Sequence, residues 1–441
     1  MKYRGFTKKE ILDIYYNMVL SRKLDEKQLV LLKQGKGYFH IGAAGHEAAQ
    51  TAAALSLKAG SDYAYSYYRD QAFAMQWGIS SKEHLLSFLA KEDDPNSGGR
   101  QMPQHFSHKK LHMVTQGSST GTQFLQAVGT AFAMQRDGSN NVVYVSSGEG
   151  TTSQGDFHEA LNWASKEKAP VIFHIQNNKY AISVPIEEQT SGASVYNIVA
   201  GYDSLSRYNI DGTNFFESYL AFQKAIDRAR KGDGPSVIVS NVVRLLPHSN
   251  ADDHRKYRSE KDIEEDKKIN PLVVFSKACS KSKFLSQVDF DKLDSKAKQQ
   301  IDEETNWADE QKNPLAEDAM KNIYSTNDKL RYSDNPNIIS EKIVLVDSIN
   351  HALSEEMEAN PKMLIYGEDV GGGKGGVFTA TRGLTDKFGV DRVYNSPLAE
   401  SSIVGTAIGL SIAGYKPVVE IQFGDYVWTS MMQIRNELST F

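Results

Sequence analysis

Residues 142–184, VVYVSSGEGTTSQGDFHEALNWASKEKAPVIFHIQNNKYAISV, carry the pattern that decides the fold. They open on a β-branched apolar run, Val142-Val143-Tyr144-Val145, which predicts a buried strand. A turn at Gly148-Glu149-Gly150 follows, then a predicted helix with Phe157, Leu161 and Ala164 on one face. Pro170 introduces a second strand, Val171-Ile172-Phe173-His174-Ile175, cut off at Asn177-Asn178. This is a β-α-β unit with an acid at the carboxyl end of one strand and an amide at the end of the next. In parallel α/β sheets that edge is where ligands bind. A carboxylate and an amide oxygen side by side suit a hard divalent cation, and Mg2+ takes part of its shell from a substrate's phosphates. Gly-x-Gly alone fits an ordinary nucleotide-type turn. The Asn-Asn pair at the matching strand end shifts the reading to a metal-diphosphate site.

The totals narrow the class. A chain of 441 residues predicts two or three domains. A net charge of -5 argues against nucleic acid or anionic lipid as partner. The lone cysteine, Cys279, excludes an internal disulfide and a Cys-cluster metal site, and fits a reducing cytoplasm. The opening MKYRGFTKKEILDIYYNM lacks the apolar core of a signal peptide, and no stretch is long enough to span a membrane. The expectation is a soluble cytoplasmic protein.

Around the central unit, residues 7–34 predict an amphipathic, core-facing helix through Ile11, Ile14, Met18 and Leu20. His40 and His46 begin an Ala-rich helix and are read as structural. The run Tyr63-Ala64-Tyr65-Ser66-Tyr67-Tyr68-Arg69-Asp70 packs either as core plus surface or as a phosphate clamp built on the Arg69 fork. QGSSTGTQFLQAVG, residues 116–129, is a hydroxyl-rich loop entering a helix; it either caps that helix or binds an anion or a monovalent cation. A strand at residues 236–240 runs into a charged loop with His248, His254, Asp252, Asp253, Arg244, Arg255 and Arg258. Such a loop is usually solvated surface, yet its place at a sheet end keeps His248 open as a catalytic group. Residues 291–325 predict an exposed helix, and 326–341 a turn-rich interdomain linker.

A second α/β pattern starts at Ile343: a helix over 346–357, a strand over 363–366, and the loop GEDVGGGKGGVF. No Gly-Lys-Ser/Thr stands at Walker spacing, so ATP binding is disfavoured. SPLAESSIVGTAIGLSIAGYKPVVEIQF then predicts a small-residue helix and a strand over 418–423. Glu400 is an acid in an apolar, small-residue setting, costly unless paired or functional. About 100 residues follow the linker, thin for a doubly wound domain, and the expectation is an incomplete second domain.

Together these pieces resemble the thiamin-diphosphate-dependent decarboxylating components of 2-oxo acid dehydrogenase complexes. The first three quarters are similar to the α subunit, and the opening of a β-like part is fused behind the linker. The specific match is Gly148-Glu149-Gly150 through Asn177-Asn178. The family's usual form is Gly-Asp-Gly, and the Glu variant is one found in branched-chain-type members. The resemblance implies an α/β thiamin-diphosphate-binding fold, with a parallel sheet flanked by helices and the start of a second, similar α/β domain. The diphosphate and Mg2+ part would be residues 1–325, and the aminopyrimidine part 342–441. It implies Mg2+ on Glu149, Asn178 and the backbone carbonyl of Tyr180. Tyr68 and Arg69 match the diphosphate-binding Tyr-Arg, Ser118 and Thr120 fall on the cofactor loop, and Thr122 and Gln123 match positions that bind K+ in some members. His248 matches the catalytic loop histidine, with Pro247 where the usual pattern has a second histidine. Leu398, Glu400, Gln422 and Tyr426 match the residues around the aminopyrimidine ring.

The implied activity is oxidative decarboxylation of a 2-oxo acid, with acyl transfer to the lipoyl group of a partner acyltransferase. Glu400 would hydrogen-bond the pyrimidine ring, and His248 would orient substrate and assist proton transfer. The Glu149 variant and the His-Ser-x-x-Asp-Asp loop favour branched-chain 2-oxo acids such as 2-oxoisovalerate. Pyruvate, a transketolase-like two-carbon transfer and a non-catalytic assembly role are the alternatives. The family buries its site at a subunit interface, so at least a dimer is expected.

Overall fold

The computed structural model describes residues 2–323 and 342–439, and the expected linker at 326–341 lies outside them. The central prediction holds. Five parallel strands form one sheet: Tyr63–Tyr65 (β1), Val143–Gly148 (β2), Val171–Asn177 (β3), Ser206–Asp211 (β4) and Ser236–Asn241 (β5), in the order β1-β2-β3-β5-β4. Val143, Val145, Phe173, Ile175 and Val237 are fully buried, as expected for a sheet covered on both faces. The register sets Gly148 beside Gln176 and Asn177 beside Asn241, so the strand ends that carry the site lie along one edge. A short 3-10 turn, Glu149–Ser153, separates the strand from its helix.

Helix α1, Lys8–Lys33, opens with a Thr7/Glu10 capping box and buries Ile11, Ile14, Met18 and Leu24. Glu47–Ser56 (α2), Gln123–Arg136 (α3) and Gly155–Lys166 (α4) complete the helices that frame the site. Phe215–Arg230 (α5), capped by the Asn214 side chain, covers the sheet beside β4 and β5. The helix expected over 291–325 is Gln287–Asp309 (α6), and it is not simply exposed. Phe290, Ala297, Ile301, Thr305 and Ala308 recur every three to seven residues and bury one face, and the helix packs on α1. Its end is set by buried Lys91, whose ammonium donates to the carbonyls of Asp309 and Gln311 at 2.9 Å.

A second sheet has three parallel strands: Met363–Gly367 (β6), Val393–Asn395 (β7) and Lys416–Glu420 (β8), in the order β7-β6-β8. The strand expected at 418–423 starts two residues earlier. It lies at the edge of this sheet, where Pro417 is tolerated inside a ladder. Leu345–Ala359 (α7) precedes the sheet, and Glu400–Ile412 (α8) packs on α3. The α3–α8 contact is backbone to backbone: a Cβ on Gly129 would stand 2.0 Å from the Thr406 carbonyl oxygen, and one on Gly409 1.9 Å from that of Gln126. Leu364, Tyr366, Ile403 and Leu410 join Val143, Phe173 and Trp163 in one apolar core spanning both sheets.

Candidate active site

At the carboxyl edge of the five-stranded sheet lies a cavity of about 520 Å3. Tyr68, Arg69, Ser118, Thr120, Gly148, Glu149, Gly150, Asn178, Tyr180 and His248 all line it. Residues from five separate stretches thus converge as the motif reading expects. Glu149 is 1 % exposed. Its Oε2 accepts the Asn178 backbone N–H at 3.1 Å, while its Oε1 is buried with no partner. Burial raises its pKa, opposed by backbone hydrogen bonds and by Arg244 and Arg69. A buried, half-satisfied carboxylate asks for a cation. Asn178 is buried next to it and Tyr180 follows at the cavity wall. These oxygens fit Mg2+ held against a diphosphate. Gly150 is required by packing: a Cβ there would meet Ala181 Cβ at 2.4 Å, pushing away the hairpin that carries Tyr180.

Arg69 is 1 % exposed, and its fork is already engaged. Nη1 donates to the Gly42 carbonyl at 2.9 Å, and Nη2 donates to His248 Nδ1 at 2.9 Å and to the His248 carbonyl at 3.0 Å. Its Nε has no partner. Guanidinium nitrogens only donate, so His248 Nδ1 carries a lone pair and Nε2 carries the proton. Burial, then Arg69 and Arg244, push the His248 imidazole down to about 4. His248 is therefore neutral at pH 7. Its loop is pinned twice: the His248 N–H donates to Asp252 Oδ2 at 2.8 Å, and Asn250 and His40 exchange hydrogen bonds at 3.0 Å. His40 also contacts Asp25, and His46 contacts Gln176, so both are structural as expected.

Three contributors were not among the site candidates, Arg244 having been placed in a loop expected to be solvated surface. His105 Nε2 lies 2.6 Å from Ser118 Oγ while its Nδ1 faces the carbonyls of Met102 and Pro103 at 3.1 Å. Nδ1–H therefore donates, and the Ser118 hydroxyl points at the ring. Arg244, buried, donates to the Ile182 carbonyl at 2.9 Å and to the Tyr257 hydroxyl at 2.7 Å. Ile182 is itself unusual: a β-branched residue at φ 57° at the cavity wall. Lys179 and Ile182 both stand at positive φ within one hairpin, a conformation that nothing in the sequence marks.

Thr122 Oγ lies 2.9 Å from the Ser119 carbonyl and 2.8 Å from Glu437 Oε1. Gln123 uses its amide on the Gly121 N–H and the Ser146 carbonyl. The aminopyrimidine set is elsewhere. Leu398, Glu400, Gln422 and Tyr426 do not line this cavity; Leu398 is 82 % and Tyr426 47 % exposed. Gln422 donates to the Glu368 carbonyl and to Asp369. Nor is the setting of Glu400 apolar. It stands half-exposed at the start of α8, close enough to Glu368 to raise that carboxyl, after burial. Ile403 and Val404, one turn on along the same face, are buried, whereas Glu400 at the helix start is not.

Residues 15–317 match the family model of the dehydrogenase E1 component. The chain belongs to that family. Residues 341–440 match the transketolase pyrimidine binding domain. The chain is 42 % identical over 282 residues to the 2-oxoisovalerate dehydrogenase subunit alpha of Bacillus subtilis, covering 64 % of this chain and 85 % of that one. It is 34 % identical over 274 residues to a Staphylococcus aureus pyruvate dehydrogenase E1 component subunit alpha, covering 62 % of this chain and 70 % of that one. A Mycobacterium tuberculosis 3-methyl-2-oxobutanoate dehydrogenase subunit alpha is also 34 % identical, over 259 residues, 59 % of this chain and 67 % of that one. The two family models together make this E1 component a thiamin-diphosphate enzyme of 2-oxo acid oxidation. Among the described residues no helix is long and apolar enough to cross a membrane.

Proposed function

We propose that this E1 component decarboxylates a branched-chain 2-oxo acid, of the 2-oxoisovalerate type, and passes the acyl group to the lipoyl group of a partner acyltransferase. The observation that carries the substrate class is the cavity's apolar lining: Phe39, Ile41, Met102, Ala181 and Ile182 share it with Glu149 and Asn178, a set that matches a branched aliphatic chain better than a methyl group. The 42 % identity to the Bacillus subtilis protein supports the same class.

Thiamin diphosphate, when bound, supplies the nucleophilic carbon and the electron sink for loss of CO2. The chain's own groups bind and orient. Glu149, Asn178 and the Tyr180 carbonyl would hold Mg2+, while Tyr68, Arg69, Ser118 and Thr120, with the Gly148 and Gly150 backbone, would hold the diphosphate. Thr122, Gln123 and the Ser119 carbonyl would take a K+ ion. His248, neutral with its proton on Nε2, offers one hydrogen bond into the cavity and can return that proton during acyl transfer. Leu398, Gln422 and Tyr426 would surround the pyrimidine ring, and Glu400 would hydrogen-bond it. Because those four lie outside this cavity, the reading includes a homodimer in which one chain's Glu400 serves its partner's site. Residues 1–325 form the diphosphate part and 342–441 the aminopyrimidine part of this reading, and the buried thiol of Cys279 suits a cytoplasmic location.

The test is CO2 release with an artificial electron acceptor, comparing kcat/KM for 2-oxoisovalerate and pyruvate. A preference for 2-oxoisovalerate of about 10-fold or more is expected, the order set by two methyl groups in an apolar pocket. A preference for pyruvate would replace the substrate assignment with the pyruvate-type reading, which the Staphylococcus aureus relative favours.

A further inference from the structure

The helix Met432–Leu438 belongs to the second unit, yet it lies on the cofactor loop of the first. Three of its residues reach the same seven-residue stretch, 117–123, or the helix that follows it. Gln433 Nε2 donates to the Thr122 carbonyl at 3.0 Å and to Asp156 Oδ2 at 2.8 Å. Asn436 Nδ2 donates to Ser119 Oγ at 3.2 Å. The Glu437 carboxylate accepts from Thr122 Oγ at 2.8 Å, from Gln126 Nε2 at 3.2 Å and from the Gly117 backbone N–H. Gln433 and Glu437 are fully buried. The bonds at Gly117, Ser119 and Thr122 bracket Ser118 and Thr120, the two loop residues that line the cavity.

We propose that Glu437, supported by Gln433 and Asn436, is a positioning residue for thiamin diphosphate: it fixes loop 117–122 so that Ser118 and Thr120 stand ready for the diphosphate. The proposal rests on the cofactor-loop reading above. A loop of glycine, serine and threonine has much backbone freedom to lose on binding, and ordering it beforehand raises affinity without a new ligand contact. The chemistry of position 437 fits that task. Three donors converge on it, and a carboxylate is the side chain that meets all of them as acceptor alone. The second unit then acts on two sites: it orders the loop of its own chain's cavity through Glu437, and it presents Glu400 outside that cavity.

The full chain, freed of cofactor, is titrated with thiamin diphosphate at fixed Mg2+, reading tryptophan fluorescence, and amide hydrogen exchange is followed in the same samples. Glu437→Ala is expected to raise Kd by about 10-fold, the scale of one or two lost hydrogen bonds. Exchange across 117–122 should quicken while the strands Val143–Gly148 and Val171–Asn177 keep their protection, and kcat at saturating cofactor should stay within about twofold. Asn436→Ala, which removes the donor to Ser119 Oγ, should act in the same direction, and the double variant should lose less than the two single losses combined. Glu437→Gln, which keeps the shape and one acceptor, should lie between wild type and Glu437→Ala, and it carries the test if Glu437→Ala does not fold. An unchanged Kd with unchanged exchange at 117–122 overturns the proposal, as does a fall in kcat at saturation with Kd intact. If the wild type itself binds no thiamin diphosphate, the cofactor reading fails, and the exchange measurement alone still judges the clamp.

Discussion

Glu149→Gln should separate the cost of burying a half-satisfied carboxylate from the benefit of the proposed Mg2+ binding. Glu149 Oε2 accepts the Asn178 N–H at 3.1 Å, and Oε1 is buried without a partner. The glutamine amide oxygen can replace the first contact, and its NH2 occupies the place of the orphaned oxygen. A buried acceptor left unsatisfied costs about 1–3 kcal/mol, more when charged. That NH2 is as unpartnered as the oxygen it replaces, so only the extra cost of a buried charge is relieved: without Mg2+, Glu149→Gln is expected to match the wild type in stability or exceed it by about 1 kcal/mol. Binding at about 100 times Kd stabilises a protein by about 2.7 kcal/mol. With Mg2+ and thiamin diphosphate present, the wild type should gain that much and the variant nothing, so the order of stability reverses. Urea unfolding of both chains, with and without ligands, measures all four states, and Glu188→Gln on the exposed surface is the control. Two outcomes refute the reasoning: a ligand-free variant less stable than the wild type by more than about 1 kcal/mol, or a variant that gains as much from the ligands as the wild type does.

Three more outcomes follow from the geometry. The His248 ring should titrate near 4 by NMR, since burial and then Arg69 and Arg244 hold it down; a midpoint near 6.5 would show that Arg69 does not donate to it. Asp70 is buried under Arg69 and its pKa is raised from 3.8 to about 6 by burial, against hydrogen bonds from Ser146, Gln176, the Tyr67 backbone and Tyr144. A raised carboxyl contributes stability that is complete below 3.8 and lost as pH rises through about 6, a step of about 3 kcal/mol. Unfolding free energies at pH 4 and pH 7 should show that step in the wild type and not in Asp70→Asn; a difference between the chains that is constant with pH sinks the assignment. Finally, Glu149→Ala and Glu400→Ala chains, each inactive alone, should regain about a quarter of wild-type activity when unfolded and refolded together, because half the dimers would carry one intact site. Activity staying at background would place Glu149 and Glu400 of one chain in the same site.

The β-α-β core was legible because its apolar runs are continuous and buried on both faces. Strand β4 was not: SRYNID is polar, lies at the sheet edge and is mostly half-exposed, so no alternation marks it. The composition of α6 hid its buried face, since five contacts to the core suffice among many charged residues. In the site, Glu149 and Asn178 could be found because their spacing carries the chemistry. His105 and Arg244 could not, because each acts through a partner far away in sequence: Ser118 for one, Ile182 and Tyr257 for the other. Glu400 was found for a reason that did not survive. Small residues around it in sequence suggested an apolar setting, but Glu400 stands half-exposed at the first helical position, beside Glu368, while the apolar residues one turn on are buried.

That failure bears on how the site is completed. A residue expected to act in a dry environment stands half-exposed, and its companions Leu398 and Tyr426 are more exposed still. Tyr426 also belongs to a ring cluster with Phe423 and Phe378, their centroids 5.2 and 5.6 Å apart, and Phe378 is 61 % exposed. Trp428 and Leu345, on the same unit, are exposed by 72 % and 77 %. The Phe378–Phe423–Tyr426 rings form one partly exposed apolar cluster, the kind of surface that association covers. Covering it would remove the apolar cost and the water around Glu400 in one event, and a charge-assisted hydrogen bond strengthens as water leaves. The residues that would gain most by association are thus the ones whose chemistry needs it, which supports a cavity completed by a second chain over one completed within a single chain.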